Sequence, residues 1–92
     1  MSVLVRIPTP LRALTDGRGE LQVEATNVGE AFGGLEQQFA GLLERLCDED
    51  GSVRSFLNVY VNEEDIRFKQ GLGTPLKAGD EVSIVPAMAG GR

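Results

Sequence analysis

Polar and apolar residues alternate near both ends of this chain and run at helical spacing between them. Val3, Val5 and Ile7 alternate with Ser2, Leu4 and Arg6, which predicts a strand over Met1–Ile7 with one buried face. Pro8-Thr9-Pro10 ends it. The stretch Pro8–Gly19 is too rich in proline and glycine for a regular element and reads as a long loop. It turns at Asp16-Gly17, with Leu11 and Leu14 tucked against the edge of the core. Glu20–Ala25 alternates cleanly and predicts an antiparallel partner for the first strand.

Asn27 followed by Glu30 has the spacing of a capping box, and Val28, Ala31, Phe32, Leu35 and Phe39 make one apolar stripe. A helix is predicted there, closed by Gly41, with Leu42, Leu43 and Leu46 adding one short turn. Gly33-Gly34 within the stripe costs about 1 kcal/mol per glycine against alanine. That penalty points to close packing on a sheet or to a less regular helix. Past an acidic loop, Phe56–Asn62 is aromatic and β-branched, with Leu57, Val59 and Val61 on one face of a strand. Asn62–Asp65 predicts a turn, Ile66–Phe68 a short return strand, Lys69–Leu76 a surface loop and Lys77–Asp80 a further turn. Val82–Val85 reads as the final strand, stopped by Pro86, which has no N–H for a ladder. The order β-β-α-β-β-β, with first and last strands side by side, makes an α+β fold. It is a mixed sheet of about five strands with one main helix across a face, the β-grasp arrangement.

Composition narrows the functions open to such a domain. Ninety-two residues make one small unit: a domain over residues 1–86 and a flexible tail over 87–92. Nine basic residues against fourteen acidic give a net charge of −5, and with one Tyr, four Phe and no Trp this argues against nucleic acid. There is no histidine, which removes the commonest general base and metal ligand and argues against an enzyme. The acidic run Cys47–Ser52 lacks the D-x-D-x-D-G spacing and closing Glu of a calcium loop, so no metal is expected. Neighbouring carboxylates raise the thiol of Cys47 and make it inert. A lone cysteine, no long apolar run and no signal-peptide pattern imply a cytoplasmic chain that neither spans a membrane nor is secreted.

The tail Ala87-Met88-Ala89-Gly90-Gly91-Arg92 is small and uncharged until its last residue. Extended, it could project roughly 20 Å, and two glycines without Cβ pass where other residues cannot. On Gly-Gly alone, a frayed end of small residues and a tail for threading into another protein's active site both remain open. What precedes it decides. Leu76–Pro86 feeds a Gly79-Asp80 turn into a V-x-I-x-P strand with Gly90-Gly91 following, and in that order it resembles the ubiquitin-like sulfur carriers of the MoaD/ThiS family. Ile7-Pro8-Thr9, Leu11-Arg12 and above all Asn58–Phe68 are most similar to the branch serving cysteine synthesis.

The resemblance implies a carrier that binds no cofactor. An adenylating, E1-like partner would consume ATP to activate the carboxylate of Gly91. Sulfur transfer would leave a thiocarboxylate for a PLP-dependent cysteine synthase, with Ala89 and Gly90 threaded into the partner. Arg92 departs from the family pattern, in which the second glycine is last. It is either removed by a JAMM-type zinc metalloprotease, as in relatives with extra residues, or tolerated by the activating enzyme. The same fold and tail also suit a small subunit of molybdopterin synthase, a ubiquitin-like modifier joined to lysines, or an interaction module whose tail is irrelevant. Phe56, Tyr60 and Phe68 are the candidate docking residues, on the exposed sheet face near the tail, although phenylalanine in so small a chain is mostly needed inside.

Overall fold

Side-chain alternation decides which face of the sheet is buried. In β1 (Ser2–Arg6) Val3 and Val5 are buried, and in β2 (Glu20–Glu24) Leu21 and Val23. β3 (Leu57–Val61) buries Leu57, Val59 and Val61; β4 (Glu64–Asp65) is a two-residue edge; β5 (Glu81–Pro86) buries Val82 and Ile84. The computed structural model describes residues 2–86, so the predicted tail of residues 87–92 lies outside the described residues. The strands form one five-stranded sheet in the order β2-β1-β5-β3-β4. β1 and β5 run parallel with Val5 opposite Val82, and every other neighbouring pair is antiparallel. The last strand in sequence is therefore the central one. Helix α1 (Val28–Gln38) lays Val28, Ala31, Phe32 and Leu35 on the buried face, and α2 (Leu42–Leu46) adds Leu42 and Leu46. This is the β-grasp fold that the pattern predicts, with a second helix.

The start of α1 is held as its sequence suggests. The Asn27 side chain accepts from the Glu30 N–H at 2.8 Å, while the Glu30 carboxylate reaches one residue beyond the usual capping box, to Thr26 N and Oγ1, both at 2.8 Å. The helix ends at Gln38, before Gly41, because Phe39 turns extended and packs its ring against the core. Gly41, at φ 98°, instead opens α2. Glu36 accepts hydrogen bonds from the N–H groups of Gly41 (3.1 Å) and Leu43 (2.9 Å), so one helix caps the next.

Three segments differ from expectation. Thr9–Thr15, expected as loop, is a 3-10 helix: prolines fit its first turn, where N–H groups lack partners anyway, and Leu11 and Thr15 are buried beneath it. Ile66–Phe68, expected as a return strand, is a 3-10 turn, and the return strand is Glu64–Asp65, inside the expected turn Asn62–Asp65. The Asp65 carboxylate accepts from the Arg67 backbone N–H (2.8 Å) and pairs with its guanidinium (2.7 Å), offering the chain an alternative to the ladder. Lys69–Leu76 is more than a surface loop. Thr74 is wholly buried and donates to Gly71 O at 2.7 Å, and Leu76 is in the core. Bonds from Val28 N to Thr74 O and from Leu76 N to Thr26 O tie this segment to the entry of α1.

The hairpin between β3 and β4 closes through Asn62-Glu63, both left-handed at φ 49° and 76°, the turn that matches strand twist. Asn62 also latches the hairpin to the start of β5. Its Oδ1 accepts from Glu81 N and its Nδ2 donates to Asp80, each at 3.0 Å.

Gly33 and Gly34 separate two reasons for a helical glycine. A Cβ on Gly33 would meet nothing within 4 Å, whereas one on Gly34 would lie 3.3 Å from Val23 Cβ, so the helix runs close to β2 there. Gly33→Ala is expected to stabilise the domain by about 0.5–1 kcal/mol in urea unfolding. Gly34→Ala should gain less or destabilise, because the sheet must give way. Equal gains at both positions would contradict the close approach.

Glu36 yields a pH signature. The N–H groups of Leu43 and Gly41 hold its carboxyl below the usual range. A carboxylate depressed on folding contributes stability above its unfolded pKa and loses it as pH falls through the folded value. The stability gap between the parent and Glu36→Gln, followed by urea midpoints, should therefore be full near neutrality and shrink below about pH 4.

Candidate functional site

β5 brings the tail out of the middle of the sheet. Its last residue, Pro86, lies opposite Leu57 of β3, and past the Arg6–Ser83 pair with β1. A shallow cavity of about 400 Å³ opens at this point, lined by Ile7, Pro8, Pro10, Arg12, Val85 and Pro86 among others. Two larger depressions, about 810 and 520 Å³, flank the 51–54 loop on either side, and neither includes a residue of β5. Size does not mark the site here; proximity to the tail does.

The sheet face away from the helices is divided. Toward its β2 side it is charged: Arg6 pairs with Glu20 at 2.6 Å and with Glu81 at 3.1 Å. The hydrogen bond and then the charge of Arg6 hold the Glu81 carboxyl below its ordinary range. These pairs are half exposed and contribute little to stability. Toward the root of the tail the face carries no charge, with Val85 opposite Asn58. Val85 is 40% exposed and Phe56 53% exposed, beside the Leu57–Pro86 pair. Tyr60, half-buried, stands opposite Ser83 and so diagonally across from Val85.

The three predicted docking residues are thus not all together. Tyr60 belongs to the open side of the sheet, and Phe56, exposed, sits in the turn immediately before β3. Phe68 sits in the 3-10 turn after the edge strand and is 86% exposed. The expectation that phenylalanines are needed inside holds for Phe32 and in part for Phe39, and fails for Phe56 and Phe68. Val85 was missed by sequence reasoning, although strand parity gives it away: with Val82 and Ile84 inward, residues 83 and 85 must face out.

The chemistry available at this surface is sparse. Among the described residues no group of three His, Cys, Asp or Glu side chains is placed to hold a metal ion. Cys47 is buried, and burial followed by the charge of Asp48 pushes its thiol up. No helix among the described residues is long and apolar enough to cross a membrane. What the arrangement offers is a platform, charged on one side and uncharged on the other, around the point where a tail departs.

A β-grasp domain that leads a Gly-Gly tail from its central strand defines the ubiquitin-like class. The chain belongs to the ThiS family of ubiquitin-like sulfur carriers, whose model matches residues 5–91. It is 43% identical, over 99% of its own length and 100% of the relative's, to the sulfur carrier protein CysO of Mycobacterium tuberculosis. The crystal structure of that CysO superposes with a TM-score of 0.88, covering 92% of this chain and 98% of that one. A chain of the Amycolatopsis orientalis BexX/CysO complex gives the same TM-score at 41% identity, covering 92% and 94% of the two chains. Small archaeal modifier protein 3 of Haloferax volcanii is 41% identical over 64 residues, 70% of this chain and 68% of that protein.

Exposure leads to a direct expectation about stability. Phe68→Ser should leave the urea midpoint within about 0.5 kcal/mol of the parent, as for other surface positions. Phe32→Ala, in the core, should cost about 3–5 kcal/mol. A large loss at Phe68 would mean that the ring is covered in solution.

Proposed function

We propose that the chain is a cytoplasmic sulfur carrier activated at Gly91 after cleavage of the Gly91–Arg92 bond. The observation that carries this reading is the 43% identity to a sulfur carrier over 99% of the chain, within a family whose model matches residues 5–91. In this scheme an E1-like partner binds ATP; the Gly91 carboxylate attacks the α-phosphate, pyrophosphate leaves, and a sulfur nucleophile then displaces AMP. The resulting thiocarboxylate donates its sulfur to a PLP-dependent cysteine synthase. The carrier itself binds no cofactor. Gly90 and Ala89 occupy the partner's channel, and Phe56, Tyr60 and Phe68 are docking contacts. Aromatic rings, of which Phe56 and Phe68 are exposed here, are among the side chains that anchor interfaces. That a CysO occurs in a complex with BexX supports a life spent docking on other proteins.

Whatever follows Gly91, a peptide bond there converts its carboxyl to an amide with no anionic oxygen to attack ATP. A JAMM-type metalloprotease that removes Arg92 restores the acid. The guanidinium of Arg92 is charged at every working pH, and a channel shaped for glycine would have to strip its water. Chain that still carries Arg92 is therefore expected to activate orders of magnitude more slowly than chain ending at Gly91, since each 1.36 kcal/mol is tenfold in rate. Both forms are incubated with the adenylating enzyme, ATP and a sulfur source, and intact mass is measured. Replacement of one oxygen by sulfur should appear only on the chain ending at Gly91, and equal rates on the two forms would refute the cleavage step.

The similarity to small archaeal modifier protein 3 favours a second reading, attachment of Gly91 to lysines of other proteins. It predicts isopeptide-linked conjugates of the tagged protein in its own cells, which sulfur donation alone does not produce.

A further inference from the structure

Arg12 lies in the 3-10 helix Thr9–Thr15 and lines the cavity at the root of the tail. Two features fix its head. Its Nε donates to the carbonyl of Ile7 at 3.0 Å, and its guanidinium lies over Gly19, where a Cβ would come within 3.0–3.1 Å of Cζ, Nη2 and Nε. Among the described residues no carboxylate pairs with it, nor with Arg18 or Arg45, whereas Arg6 has two and Arg54 and Arg67 have one each; of the three without a carboxylate, Arg12 is the one that lines this cavity. In a chain of net charge −5, this is a held cation with its Nη groups open, set against an apolar wall of Pro8, Pro10, Val85 and Pro86. A planar fork oriented in advance loses less freedom on binding and matches a carboxylate bidentately.

We infer that Arg12 and this cavity receive an acidic segment of the adenylating partner. An Asp or Glu carboxylate of that segment accepts from the Nη groups, while an apolar neighbour sits on Pro8, Pro10 and Val85. The inference rests on the sulfur-carrier reading above. Charge complementarity selects the occupant, since the cavity offers the acidic carrier's cation to a carboxylate rather than to another base. Arg12 is a positioning residue, not a catalytic one: Gly91 is five residues beyond Pro86, roughly 17 Å away when the tail is extended into a partner's active site.

Gly19 makes the test clean. Its backbone is not left-handed, and the atoms that a new methyl would meet are the far end of one long side chain. Gly19→Ala should therefore fold normally, keep the charge and displace the guanidinium. The assay is ATP–pyrophosphate exchange by the adenylating enzyme against carrier ending at Gly91, with thermal unfolding of each variant alongside. Arg12→Ala should raise KM on the order of 30-fold with kcat unchanged, and Gly19→Ala should raise it about 5-fold at an unaltered midpoint. Arg12→Lys should restore only part of the loss, because it keeps the charge without the fork. The KM of the parent should also rise more steeply with salt than that of Arg12→Ala. Unchanged KM in Arg12→Ala and Gly19→Ala overturns the inference while leaving the carrier reading intact. A fall in KM overturns it too, since Arg12 would then be holding the chain's own tail. Absence of exchange with the parent protein fails the carrier reading itself, and the inference with it.

Discussion

The parallel pairing of β1 with β5 is the constraint on which the rest of this structure depends. It joins segments from opposite ends of the chain, Leu4 to Arg6 against Glu81 to Ser83, and it encloses the last strand between two others. Such a pair costs the loop entropy of nearly the whole chain, repaid only when Val82 and Ile84 are buried beneath α1 with Val3, Val5, Val59 and Val61. The Asn62 latch onto Asp80 and Glu81 and the strap from Thr74 to the entry of α1 secure the segments on either side of that closure. A central final strand also means that whatever follows Pro86 starts from a strand flanked by β1 as far as Ser83 and by β3 alone from there to Pro86.

That geometry separates gripping from reacting. The surface around Pro86 supplies apolar contact through Val85 and Phe56 and fixed charge through Arg6 and its carboxylates. None of these groups can reach a reacting centre at the far end of an extended tail. Under the proposed function, specificity is set at the platform and chemistry is left to the partner, so one domain can visit several enzymes with the same terminal group. The absence of histidine from the sequence accords with such a division.

Much of this was legible in the sequence, for reasons that can be traced residue by residue. Period-two alternation placed β1, β2, β3 and β5, and the Asn27–Glu30 spacing placed the start of α1. The 3-10 segments were not legible, because local side-chain bonds decide them: Asp65 onto Arg67 overrides the strand-like Ile66-Arg67-Phe68, and Thr15 and Thr74 fold their hydroxyls onto nearby carbonyls. The candidate site was legible only in part. Tyr60 and Val85 follow from parity, but the exposure of Phe56 and Phe68 does not, since composition alone assigns phenylalanine to the interior. The Arg12–Gly19 contact lies beyond any pattern argument, being a close approach across a turn.

Cys47 acquires a meaning from the company it keeps. A protein that carries an activated acyl group is at risk from its own nucleophiles, which could capture that group before any acceptor arrives. Here the single thiol, at the end of α2, is buried, and burial and then the neighbouring Asp48 push it up, away from the thiolate. Of the two lysines, Lys69 is paired to Glu64 at 3.0 Å. An acyl-adenylate formed at Gly91 would meet no ready thiolate among the described residues. Under the proposed function, capture of the activated group by the thiol is thereby disfavoured, a form of chemical insulation for the cargo on its way from one enzyme to the next.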